Sequence, residues 1–333
     1  MNGYTLILSA IGFILLLVMI YYIGRVIEST AFIKGEKNGD APKENNTVGF
    51  VFILAGFIFM IASTWSIIEY SDMFLPESAS VEGVWIDEMT NVTFFWTFLV
   101  FVMTQVALFV FAFAYRKNKK RKALFYAHNN KLEVIWTVVP SIVLTFLVVE
   151  AYIAWDKIMF QNDEDVTIEV TAKQFGWIIR YPGMDGKLGQ KEFKYIDDAN
   201  NELGIDFEDP ASRDDLMITD TLVLPKGKKV KVNLKSRDVL HSFYLPHFRV
   251  KMDCVPGTPT VFRFTPSYTT KEYRAEVVEN EEFDFELACT EMCGTSHYGM
   301  QKPVKVVGWE EYQAWIKKKT IENSTYYSIY ANN

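Results

Sequence analysis

Long stretches without a charged side chain dominate the N-terminal half of this chain. The first 24 residues are uncharged and contain the run from Tyr4 to Ile23. Uncharged runs recur from Asn45 to Ile68, from Met89 to Tyr115 and from Val134 to Val149, the last continuing past Glu150 to Trp155. About 20 apolar residues cross a hydrocarbon core ~30 Å thick, so four transmembrane helices are expected. The fourth qualifies if Glu150 sits at an interface or faces a protein partner. The first run lacks a basic n-region and a small-residue cleavage site and is too long for a signal peptide, so it reads as a retained helix.

Loop charges set the orientation. Arg116, Lys117, Lys119, Lys120, Arg121 and Lys122 follow the third run and place that loop in the cytoplasm. Glu69, Asp72, Glu77, Glu82, Asp87 and Glu88, with no Lys or Arg among them, place the loop after the second run outside. Everything beyond Trp155 is then extracytoplasmic. The whole chain has 333 residues and a net charge of -7, a balance that argues against nucleic-acid binding. With three cysteines and four histidines it can build neither a disulfide scaffold nor a multi-histidine cluster.

The extracytoplasmic part reads as β. Val166–Thr171 and Val230–Leu234 alternate with period two, and further strands are expected at Thr260–Phe264, Phe283–Ala288 and Pro303–Val307. Short strands separated by turns suggest a sandwich or Greek-key barrel. Residues 183–220 break the pattern with Gly, Asp, Asn and Pro and read as an acidic insertion, with 11 acids against four bases. A short helix from Trp309 to Lys319 closes the domain.

Potential metal ligands concentrate after the strand ending near Ala288. Cys289, Cys293, His297 and Met300 fall within twelve residues, and His241, at the end of the Val230–Leu240 strand region, can reach the same place. Soft and borderline donors of this kind suit copper far better than magnesium or calcium. One zinc would take two Cys and two His and leave Met300 idle. One blue copper would leave a cysteine spare, whereas two coppers bridged by both thiolates use every donor. A disulfide between Cys289 and Cys293 would account for neither histidine nor the methionine.

At these residues the sequence resembles subunit II of the haem–copper cytochrome c oxidases. The family motif Cys-x-Glu-x-Cys-Gly-x-x-His-x-x-Met is matched at Cys289, Glu291, Cys293, Gly294, His297 and Met300, and the family's upstream histidine at His241. Lys251-Met-Asp-Cys-Val-Pro-Gly257 and Glu133-Val-Ile-Trp-Thr-Val-Val-Pro140 match two further family segments. The resemblance implies a cupredoxin-like Greek-key barrel holding a dinuclear copper centre, CuA. His241, Cys289, Cys293, His297 and Met300 would be its side-chain ligands. Glu291 would give copper its backbone carbonyl and offer its carboxylate to a magnesium shared with subunit I. The resemblance further implies Glu133 at the mouth of a proton channel and Asp253 facing subunit I. Cys254 and His247 take structural roles, and His128 belongs to the cytoplasmic surface.

Two departures stand out. The family has two membrane helices, and here an additional pair precedes them. The family's electron-entrance tryptophan is replaced by Phe175 in Gln174-Phe-Gly-Trp177, with Trp177 matching the inner tryptophan. The implied organisation is two additional helices over residues 1–72, the family hairpin over 73–156, the CuA domain over 157–320 and a tail over 321–333. The implied function is to accept electrons from a c-type cytochrome and pass them to haem in subunit I, where oxygen is reduced and protons are pumped. Haems reside in subunit I only. Further partners are subunit III and the lipid bilayer, with the donor held in a supercomplex with a quinol-oxidising complex. The expected location is the bacterial inner membrane with the CuA domain in the periplasm. The alternative is a membrane-anchored copper-binding or copper-delivery protein.

Overall fold

The computed structural model describes residues 43–117, 122 and 124–330, together with 18, 19, 21–23, 25 and 26. The expected first span, Tyr4 to Ile23, lies outside the described residues apart from its end. The other three spans are helices: α1, Lys43–Glu69; α2, Val81–Ala114; and α3, Asn130–Met159. All three are long and apolar enough to cross a membrane. The chain divides into two compact units, residues 1–71 with 95–137 and residues 72–94 with 138–333.

In the first unit α1 lies against the C-terminal half of α2. Phe52 and Phe109 pack with ring centroids 4.9 Å apart. Gly56 makes this possible, since a Cβ there would sit 2.3 Å from the Phe109 ring. Small residues permit close helix approach where lipid supplies no hydrophobic drive. At the basic end, Asn45 donates to the Lys117 carbonyl at 2.8 Å and Arg116 donates to Asn46 at 3.0 Å. The first turn of α3 is capped by Asn129, whose Oδ1 accepts the Leu132 N–H at 3.1 Å.

In the second unit ten strands form two five-stranded sheets, ordered β3-β2-β1-β5-β8 and β4-β10-β9-β6-β7. The strands are β1 Val166–Lys173, β2 Gly176–Tyr181, β3 Leu216–Ile218, β4 Leu222–Pro225, β5 Val230–Ser236, β6 His241–Leu245, β7 Val250–Cys254, β8 Thr260–Phe264, β9 Phe285–Cys289 and β10 Lys302–Val307. β1 with β5 and β4 with β10 run parallel, while the remaining pairs are antiparallel. Ile168, Val170, Phe243, Phe285, Leu287 and Val304 belong to one continuous core.

The structure corrects three sequence boundaries. His241 does not end the 230–240 strand: β5 stops at Ser236, and a turn places His241 first in β6. The closing helix, α4, continues from Trp309 to Tyr330 rather than ending at Lys319, and so takes in most of the expected tail. The 183–220 insertion does not only interrupt the strands: it contains β3 and folds as a lobe. Leu203 and Ile205 bury against Ile178, and buried Asp215 pairs with buried Arg180.

Helix α2 begins well ahead of its apolar run because Ser80 caps it, accepting the Gly83 N–H at 3.0 Å. Its first turns are built into the β-domain. Buried Glu82 accepts the Thr265 N–H at 2.6 Å and its hydroxyl at 3.1 Å. Arg249 donates to both oxygens of Asp87, at 2.7 and 2.9 Å.

Candidate metal centre

Sheet register gathers the donors. β6 and β9 pair antiparallel with Phe243 opposite Cys289 and Tyr244 opposite Ala288. The end of β9 therefore lies beside the start of β6, which brings Cys289 close to His241. The chain then turns through Cys293 and a short 3-10 turn, His297–Gly299, and delivers Met300 just before β10. The ligand atoms of His241, Cys289 and Cys293 all lie within 4.8 Å of one another. His241 Nδ1 is 3.8 Å from Cys289 Sγ, and His297 Nδ1 is 3.4 Å from Cys293 Sγ. Met300 Sδ also lies 3.4 Å from Cys293 Sγ, and the Glu291 carbonyl oxygen lies 3.3 Å from Cys289 Sγ. All six residues named from the sequence thus converge, Glu291 through its carbonyl.

The arrangement fits a soft cation. Both cysteines are buried free thiols, and burial together with the charge of Cys289 pushes the Cys293 thiol up to about 11. Two adjacent thiolates in an apolar pocket are stable only with positive charge between them. Histidine nitrogen, thioether sulfur and a carbonyl oxygen complete a copper-type donor set.

The surroundings fix the donors. His241 is fully buried, and its Nε2 meets Asp238 Oδ1 at 2.8 Å. That bond assigns the proton to Nε2 and turns the Nδ1 lone pair toward the sulfurs. Gln174 donates its backbone N–H to Asp238 Oδ2 at 2.7 Å and its side-chain amide to the Cys293 carbonyl at 2.5 Å. Trp177 is buried, donates its indole N–H to the Met300 carbonyl at 2.8 Å, and meets the His241 ring edge-on at 6.4 Å. Gly294 has φ 140°, and a Cβ there would lie 2.8 Å from the half-exposed Phe175 ring. The glycine therefore lets Phe175 cover the ligand loop.

Sequence reasoning did not assign roles to Asp238 and Gln174. The only available signal was position, an acid three residues before His241 and an amide beside Phe175. Asp253 is exposed on β7, paired with Ser242. Glu133 belongs to the other unit, where its carboxylate accepts the Asn129 N–H at 3.3 Å and helps to cap α3. His247 and Cys254 lie within the fold, His247 among aromatic rings and Cys254 in the core.

Residues 68–152 match the transmembrane domain of cytochrome c oxidase subunit II, and residues 166–307 match its periplasmic domain. The alternative cytochrome c oxidase subunit 2 of Bradyrhizobium diazoefficiens is 33% identical over 236 residues, covering 71% of this chain and 80% of that one. Cytochrome c oxidase subunit 2 of Cereibacter sphaeroides is 33% identical over 233 residues, 66% of this chain and 70% of that one. Among solved structures, the periplasmic domain of subunit II of cytochrome oxidase from Bradyrhizobium japonicum is 26% identical, covers 48% of this chain and 96% of that one, and gives a TM-score of 0.33. The chain is membrane-anchored, carries an extracytoplasmic cupredoxin-like domain, and belongs to the cytochrome c oxidase subunit II family.

Proposed function

We propose that this chain relays electrons through a dinuclear copper centre held by His241, Cys289, Cys293, His297 and Met300, with the Glu291 carbonyl as the remaining donor. When bound, the copper pair supplies a one-electron carrier whose rigid surroundings keep reorganisation small. The convergence of two buried thiols, two histidines and a thioether on one point carries this reading. Phe175, an exposed aromatic packed against Gly294 of the ligand loop, is where the electron enters. Trp177 and Asp238 hold Met300 and His241 in place. The donor is a c-type cytochrome held in a supercomplex with a quinol-oxidising complex, because Phe175 replaces the tryptophan on which the family docks a diffusing donor. The acceptor is haem in subunit I, where oxygen reduction and proton pumping take place.

The finer assignments follow from the same resemblance. The Glu291 carboxylate ligates a magnesium shared with subunit I. Asp253 faces subunit I, and Glu133 serves a proton channel as well as the α3 cap. The Tyr4–Ile23 run is a fourth span in a bacterial inner membrane. It packs with α1 against a further membrane partner, and subunit III completes the core assembly.

The test uses the full chain in its purified oxidase. Copper should be present as a pair in each chain with a mixed-valence electron paramagnetic resonance signal, lost in Cys289→Ser. A colourless, zinc-bound protein would overturn the reading.

A further inference from the structure

The folded insertion touches the metal centre's supports. Glu202 forms ion pairs with Lys173 and with Arg237, the latter at 3.3 Å, and Asp198 pairs with Arg237 as well. Lys173 is the last residue of β1 and immediately precedes Gln174. Arg237 immediately precedes Asp238 in the turn between β5 and β6. Glu202 therefore joins the loop that holds the Cys293 carbonyl to the turn that holds His241 Nε2. The two loops are also tied directly by the Gln174 N–H to Asp238 bond.

Glu202 is not a swinging surface acid. The next residue, Leu203, is buried with Ile205 against Ile178 of β2. The Asn201 side chain closes a local turn, accepting the Ile205 N–H at 2.8 Å and donating to its carbonyl at 2.9 Å. The lobe is pinned further down by Arg180 to Asp215 and by Lys191 to Glu169. An ion pair whose two ends are already fixed loses little side-chain entropy, which is the usual reason exposed pairs contribute nothing.

We propose that the insertion braces the metal centre and that Glu202 is a positioning residue for His241 and Cys293, acting through Arg237–Asp238 and Lys173–Gln174. The inference rests on the copper reading above. Metal sites depend on the groups behind their ligands, whose loss typically lowers affinity or activity 10–100-fold. Glu202 stands one contact further back, so a smaller effect, about three- to tenfold, is expected.

The experiment compares wild type, Glu202→Gln, Glu202→Ala and Glu208→Gln in the assembled, copper-loaded oxidase. The readouts are copper release to a cuprous chelator under reducing conditions and the hyperfine pattern of the resonance signal. Glu208→Gln removes one acid from the same lobe, and no ion pair of Glu208 is found among the described residues. Glu202→Ala should release copper about three- to tenfold faster with an altered hyperfine pattern, Glu202→Gln should fall between it and wild type, and Glu208→Gln should match wild type. Should Glu202→Ala fail to assemble, the isosteric Gln variant carries the comparison. Release and spectra equal to wild type in the Glu202 variants would overturn the brace and leave the copper reading intact. Equal changes in Glu208→Gln would overturn it in favour of a general field effect. A wild-type oxidase without the copper signal would overturn both readings.

Discussion

Trp177 shows how one hydrogen bond can couple core packing to a proposed ligand, Met300. Its ring is buried between His241 and Phe243 while its indole N–H fixes the Met300 carbonyl. Trp177→Phe keeps an aromatic ring but strands that carbonyl, at a cost of about 1–3 kcal/mol. A thermal unfolding midpoint below wild type and a shifted copper potential are expected together. His247 supplies a second test at this scale. It is packed against Tyr273, Phe283 and Phe285. Burial and then the charge of Arg249 lower its pKa from 6.5 to about 4. Between those values the unfolded chain takes up a proton that the folded chain refuses. The stability contribution is therefore complete above about pH 6.5 and is lost as pH falls toward 4. Urea unfolding of the metal-free, detergent-solubilised chain should show this loss in wild type and a flatter profile in His247→Phe. The proposed ligands are legible because their motif is a spacing along the chain, and the structure brings those residues together. Asp238 and Gln174 were not, since what they bond to is decided by two turns that sequence spacing does not describe.

At the scale of elements, the start of α2 is a structural joint. Arg249 holds Asp87 with two nitrogens, donates to the Pro246 carbonyl at 2.8 Å and also reaches the Pro76 carbonyl. It does so from the left-handed region, at φ 58°. A lysine at this position keeps the charge but cannot reproduce a planar fork. Arg249→Lys should cost about 1.5–3 kcal/mol and should speed proteolysis within residues 72–80, read by mass spectrometry of the fragments. The helices that α2 and α3 form were readable because lipid demands unbroken apolar length. Strands were readable where the sequence itself alternates with period two, as in β1, although β1 is buried on both faces along most of its length. β5 alternates in burial as well as in sequence, whereas Gly176–Tyr181 and His241–Leu245 carry no regular alternation of polar and apolar residues, and so β2 and β6 give no period-two signal. The break between β5 and β6 has a different cause: Val239 and Leu240 are apolar residues exposed in a turn, and they make the strand look continuous.

At the scale of the whole molecule, the net charge of -7 equals that of residues 183–220 alone, with 11 acids against four bases. Glu202, Asp198 and Asp215 are committed to ion pairs, while Asp185, Asp197, Glu208 and Asp220 remain exposed. Such a face raises the encounter rate of a basic protein at low salt. That rate weakens as the screening length contracts from about 30 Å at 0.01 M to about 3 Å at 1 M salt. A donor held in a supercomplex feels no such dependence, because its effective concentration is set by the tether. The two situations separate in one titration. Reduction of the purified oxidase by an added basic c-type cytochrome should fall at least about tenfold across that salt range, and Glu208→Lys should lower its low-salt limit. Quinol-driven oxygen uptake by native membranes should change by less than about twofold over the same range and should be unaffected by Glu208→Lys. A salt profile shared by both assays would mean that the physiological donor diffuses, and that the acidic lobe, besides bracing the centre, gathers that donor from solution.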